Sequence, residues 1–170
     1  MMKKVILSLS LALLTAGAFA QTPTTPDQRA KTKSEGVAKF IDSKIVDVPK
    51  KLNAGQKKSM KDAQLAYETG MDSVKAAKTG LPKRVEEIKA KAAAVPKEVA
   101  TEEEAAKAKA ENDAILKMQE SLRADQALLN ARPDQLKAKL EEDIKKALKA
   151  DQVKVYDQML ADQKAKKKAN

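Results

Sequence analysis

The sequence predicts an all-α fold, and three observations carry that expectation. Apolar residues recur at spacings of three and four through nearly the whole chain, as in Met60, Ala63, Tyr67, Met71 and Val74. No stretch alternates apolar β-branched and polar residues over four positions, and hairpin dipeptides such as Asn-Gly are missing. Helix-start signals precede the periodic stretches, and Pro or Gly stands at their ends.

The first twenty residues stand apart from this pattern. Met1–Ala20 opens with Lys3 and Lys4, continues through the apolar run Val5–Leu14, and closes on Ala18-Phe19-Ala20. A basic start, a short apolar run and an Ala-x-Ala site predict a cleaved secretory signal. The run is shorter than the roughly 20 residues a helix needs to cross a bilayer. Residues 1–20 are therefore expected to be removed, leaving a periplasmic chain from Gln21. No Cys follows the site, so no lipid anchor is expected. Residues 21–25 read as a disordered leader, 26–165 as the helical domain and 166–170 as a basic tail.

Within the domain, Thr25-Pro26-Asp27-Gln28 opens the first helix. Thr25 caps it, Pro26 suits the first turn and Gln28 closes a capping box. Val37, Ile41, Ile45 and Val48 share one face, Gly36 weakens the middle, and Pro49 ends the helix. The second helix is expected from about Ala54 to Lys78 on the Met60–Val74 stripe, with Gly80 as the stop. Pro82 opens a third, lined by Leu81, Val85, Ile88, Ala92 and Val95, and Pro96 closes it.

Thr101 and Glu104 form another capping box, with Glu102 and Glu103 on the positive end of the dipole. Ala108, Ile115, Leu122 and Leu129 follow at seven-residue intervals, joined by Met118, until Arg132-Pro133 breaks the stripe. Leu136, Leu140, Ile144 and Leu148 line the next segment. Val153, Tyr156, Met159 and Leu160 restart out of phase, which places a cap or kink near Lys149–Asp151. The expected architecture is four to five amphipathic helices in an elongated molecule. The seams are narrow and Ala-rich, so each helix buries little area against its entropy cost, and a homodimer is expected to supply the rest.

Composition narrows the function. The whole chain holds no Cys, His or Trp. Cys–His and Ser–His nucleophilic chemistry is thereby excluded, and zinc loses its preferred nitrogen and sulfur ligands. No enzyme activity, cofactor or metal site is expected. Removing Lys3 and Lys4 leaves 32 basic against 24 acidic residues over Gln21–Asn170, a charge of +8. The charge is unevenly placed: Asp27–Lys61 nets +6, Asp62–Ala100 +1, Thr101–Asp143 −4 and Ile144–Asn170 +5. Such separated potentials suit acidic partners or antiparallel pairing. Few aromatics are available to stack on bases, which argues against specific nucleic-acid binding. No stable membrane insertion is expected after cleavage.

Two short segments share a pattern. Leu52-Asn53-Ala54-Gly55-Gln56 and Leu148-Lys149-Ala150-Asp151-Gln152 both lie where the apolar phase calls for a helix start. In the first, Asn53 caps and Gln56 bonds back to it; in the second, Lys149 cannot cap, but Leu148 can pack on Val153. The same spacing at Leu122–Gln126 falls inside an unbroken stripe. With the secretion signal, size, basic charge and helical pattern, these segments make residues 26–165 resemble the Spy/CpxP family, whose hallmark is two Leu-Thr-x-x-Gln motifs. The carried-over motif residues are Leu52, Asn53, Gln56, Leu148 and Gln152.

The resemblance implies a cradle-like antiparallel dimer and an ATP-independent periplasmic chaperone that holds unfolded or aggregation-prone envelope proteins. It leaves room for a sensor-inhibitor or adaptor that binds a membrane stress kinase, or a structural helical envelope protein without clients. A trimeric basic chaperone would need strands, and none is expected. Metal binding by His-containing sites of some relatives does not carry over to a chain without His.

Cleavage is directly measurable. Intact mass and N-terminal sequencing of protein from the envelope fraction should give Gln21 as the first residue. A retained Met1 or a lipid-modified terminus would overturn the secretory expectation.

Overall fold

The computed structural model describes residues 25–96, 98 and 100–169. The expected signal and the leader through residue 24 lie outside them. The element order is α1 (Pro26–Lys44), a short 3-10 turn (Val48–Lys50), α2 (Ala54–Ala94), α3 (Glu102–Ala147) and α4 (Ala150–Ala169), with no strand among the described residues. The all-α expectation is met with four helices.

The helix starts follow local sequence. Thr25 with Gln28, Asn53 with Gln56, and Thr101 with Glu104 each form a complete, reciprocal capping box. Each box satisfies two backbone N–H groups that the first turn cannot pair internally. The ends depart from expectation at three places. α1 stops at Lys44 with Ile45 extended, short of the expected stop at Pro49, and Val48 and Pro49 fall in the separate 3-10 turn. α2 runs for 41 residues straight through Gly80 and Pro82. α3 runs for 46 residues through Pro133, where a break between two helices was expected. A helical Pro removes one backbone bond and costs roughly 3 kcal/mol. At Pro82 the orphaned carbonyl belongs to Lys78, and both residues are exposed, so water can reach it. Buried residues also pin the helix on either side of each Pro: Val74 and Ile88 flank Pro82, and Leu122 and Ile144 flank Pro133. Tertiary packing thus overrides the local stop signals. The basic segment expected as a tail from residue 166 likewise continues α4 as helix to Ala169.

α2 and α3 form an antiparallel hairpin of helices about 60 and 70 Å long at 1.5 Å per residue. Its register is set by Gly70 against Leu136 and Arg84 against Asp125. A Cβ on Gly70 would lie 2.6 Å from Leu136 Cδ2, so only Gly admits that approach without moving the leucine. α1 returns antiparallel along the first half of α2, and α4 starts beside Lys50 and runs back over α1.

This layout divides the molecule into a body and an arm. The body core draws on all four helices and their connections: Ala38, Ile41, Ile45, Leu52, Met60, Ala63, Ile144, Tyr156 and Met159. Burial pushes the Tyr156 phenol up to about 12, helped by the charges of Glu141 and Asp157. The arm is the distal part of the α2–α3 hairpin, held by Ile88, Ile115 and Leu122 with Leu81, Val85, Val95 and Met118 around them. The apolar stripes expected from sequence, Val48 aside, are buried or half-buried, except that Ala92 is exposed.

Charge holds the first half of α1 to α2. There α1 buries only Ala30 and Ser34, which are too small to contribute much apolar area. Glu68 is buried beneath it and accepts from Arg29 Nε at 2.8 Å, Lys33 Nζ at 2.6 Å and Gln64 Nε2 at 3.1 Å. Arg29 Nη2 also reaches Asp72 at 2.6 Å. Burial alone would raise the Glu68 carboxyl, but the hydrogen bonds from Lys33 and Arg29, the Lys33 charge and Gln64 together hold it below the usual carboxylate range.

A group with a lowered folded-state pKa contributes stability above its unfolded value, near 4.3, and that stability is lost as pH falls through the folded value. Glu68→Gln should therefore lower the denaturant-derived stability at pH 7 by about 1–3 kcal/mol. The difference from the parent should close as the pH falls below about 4. A difference that stays constant from pH 7 to 3 would show that the ion pairs contribute nothing.

Candidate functional site

The two Leu-x-x-x-Gln segments, distant in sequence, meet in the body. In the first, Asn53 Oδ1 accepts from the Gln56 N–H at 2.8 Å, and the Asn53 N–H donates to Gln56 Oε1 at 3.1 Å. This occupies only the oxygen of the Gln56 amide. Its nitrogen crosses to the other segment, donating to Gln152 Oε1 at 2.7 Å and to the Ala147 carbonyl at 2.9 Å. Gln152 answers in kind. Its Nε2 donates to the Lys50 carbonyl at 2.7 Å, and its Oε1 also accepts from the Lys149 N–H at 2.8 Å.

The arrangement is close to two-fold symmetric. Each glutamine closes the N-terminus of its own helix with its oxygen and grips the connection before the other helix with its nitrogen. Gln152 is fully buried and Gln56 half-buried. Turning either amide over would set like groups face to face, so the network admits one orientation of each. Among the described residues, no buried side-chain polar atom lacks a partner.

The other motif residues support this clasp. Leu52 is buried in the body core, and its N–H donates to Asp42 Oδ1 at 2.8 Å. Burial pushes the Asp42 carboxyl up. Lys57, 2.8 Å away, and the Leu52 N–H outweigh it and hold the group low. Leu148 packs against the same core from the other connection. The Lys149 side chain is exposed, as expected of a residue that cannot cap, and Gln152 supplies the remaining half of the box. Gln126, from the third occurrence of the spacing, sits mid-helix in α3 and takes no part.

Sequence reading placed all five residues at helix starts but did not bring the two copies together. It also missed Gln64 and Glu68. Both lie in phase with the Met60–Val74 stripe, and a charge inside an apolar stripe is the signal that marks them.

The arm has a different chemistry. Shallow grooves of about 250 and 240 Å³ flank Ile88 on its two sides. One is lined by Ile88 and Met118 with Arg84, Glu87 and Lys117; the other by Val85, Ile88 and Leu122 with Lys89 and Arg123. Leu116 and Leu128 on α3 are exposed by 56% and 67%, far more than core leucines. Among the described residues, no three metal-ligating side chains gather. No helix there is long and apolar enough to cross a membrane. No family model, no curated protein and no solved structure matches this chain.

The clasp yields a double-mutant test. Gln152→Ala strands the Lys50 carbonyl, the Lys149 N–H and the Gln56 amide, and should cost on the order of 2–3 kcal/mol. Gln56→Ala should cost less, because water can reach its half-exposed site. Together they should cost less than their sum, with a coupling of about 1 kcal/mol in denaturant titrations. Strict additivity would show that the two amides do not act as a unit.

Proposed function

We propose that this chain is an ATP-independent, chaperone-like periplasmic protein of the Spy/CpxP type that holds unfolded or aggregation-prone envelope proteins. The observation that carries the mechanism is the arm, where open grooves on both sides of Ile88 expose apolar side chains between charged ones, Arg84, Glu87 and Lys117 in one and Lys89 and Arg123 in the other. Long-range attraction of an unfolded acidic chain comes from the net positive charge of Asp27–Lys61 and Ile144–Asn170, and the grooves of the arm then offer it shallow apolar contact. Shallow grooves bind many sequences weakly and none tightly, which suits a holding function. The meeting of two Leu-x-x-x-Gln segments 96 residues apart supports the resemblance from which the chaperone class comes.

The same reading takes the protein as a homodimer, arranged as an antiparallel cradle. Exposed Leu116 and Leu128 favour a partner for the arm. No nucleotide site, cofactor or catalytic group enters the mechanism.

An aggregation assay tests the proposal. At near-stoichiometric ratio, the protein should suppress aggregation of an unrelated unfolding protein. Stopped-flow association with an acidic unfolded client should slow markedly between low and high salt, because exposed charges are screened beyond about 8 Å at physiological ionic strength. Release, governed by apolar contact, should change less. Unchanged aggregation at every salt would remove the chaperone. Saturable binding to one folded sensor domain would then favour the sensor-inhibitor alternative.

A further inference from the structure

The fold gathers charge that the sequence scatters. Residues 26–74 and 131–169, which build the body, hold 21 basic and 14 acidic residues, a net of +7. Residues 75–130, the arm, hold 11 and 10. The two basic blocks at opposite ends of the chain therefore lie in one half of the molecule, because α4 folds back over α1.

The last turns of α4 concentrate this charge. Leu160 is the last α4 residue packed on the body core, and residues 161–167 are all exposed. Lys164, Lys166 and Lys167 make no ion pair among the described residues. Lys31, Lys39, Lys51, Lys58, Lys149 and Lys154, on the helices and connections of the body, are likewise exposed and unpaired there. By contrast, the acidic residues of the body are largely consumed by internal pairs, including Asp42 with Lys57, Glu68 with Lys33 and Asp157 with Lys145. Each pair removes a cation with its anion, so the body's net positive charge resides on these unpaired lysines.

We infer that the exposed end of α4, with Lys164, Lys166 and Lys167 on the basic half of the molecule, is a docking surface for anionic lipid headgroups on a membrane. The chemistry selects that partner. All the cations at the end of α4 are lysines, which act as point charges and suit a diffuse anionic plane better than one oriented phosphate. Residues 161–169 offer only Ala, Asp, Gln and Lys, so the helix rests on headgroups and does not insert. Stacking on nucleic-acid bases has no exposed aromatic here, since Tyr156 is buried and Phe40 and Tyr67 are half-buried. The near-neutral arm, with Glu102, Glu103 and Glu104 near its tip, is directed away from the charged plane. This orientation does not depend on client binding.

Co-sedimentation with vesicles, one third anionic lipid in zwitterionic lipid, tests the surface, using the protein as cells process it. Each lysine near an anionic surface contributes about fivefold in affinity. Lys164→Gln/Lys166→Gln/Lys167→Gln should weaken binding by about 100-fold. Lys83→Gln/Lys107→Gln/Lys109→Gln, with the same loss of charge on the arm, should stay within about twofold of the parent. Binding should vanish at high salt and on purely zwitterionic vesicles. All six lysines are exposed, and circular dichroism checks that both variants keep their helix content. Equal losses in the two triple variants, salt-resistant binding, or tight binding to nucleic acid with none to vesicles would each overturn the proposal.

Discussion

Two primary amides hold the body together. A long hairpin such as α2–α3 can stand on its own seam, but the short α1 and α4 must be pinned at their connections. Gln56 and Gln152 do this by each satisfying its own helix start and the chain before the other's. The starts of α2 and α4, the end of α3 and the turn before α2 converge on this one network, which couples the two connections. No buried side-chain polar atom of that network lacks a partner, which is the condition under which a buried polar group stabilises a fold.

Around this point the molecule uses two kinds of adhesion. Near the clasp, Ile41, Met60, Ile144 and Tyr156 form a small apolar core. Farther along α1, contact residues shrink to Ala30 and Ser34, and the ion pairs of Glu68 with Arg29 and Lys33 take over. The arm has neither a third helix nor a buried charge. Its seam is a thin row centred on Ile88, Ile115 and Leu122, and grooves stay open on either side of Ile88 where a thicker bundle would have closed them. The proposed client contact and the proposed membrane contact fall on opposite parts of the molecule, the first on the arm and the second on the body.

The capping chemistry of this chain is local, and so it was legible. Thr25, Asn53 and Thr101 each find their glutamine or glutamate partner three residues on, within one turn. Apolar stripes were legible for the same reason, since helical periodicity alone decides which residues can share a face. Pro82 and Pro133 misled because a local cost of a few kcal/mol competes with packing over the whole hairpin. Glu68 was passed over because its burial depends on Arg29 and Lys33 arriving from another helix.

What the sequence by itself determined is therefore helix identity, helix starts, the faces to be buried and the absence of histidine and cysteine chemistry. Each follows from residue type and spacing within a few turns. What only the tertiary structure decided is which elements meet. Gln56 and Gln152 are equally spaced copies of one helix start in the sequence, and nothing in either predicts that their amides will touch. The basic blocks at the two ends of the chain similarly came into one half of the molecule only when α4 returned over α1. Contacts of this kind depend on the relative placement of helices some 90 to 100 residues apart. Long-range packing sets that placement, and local propensity does not encode it.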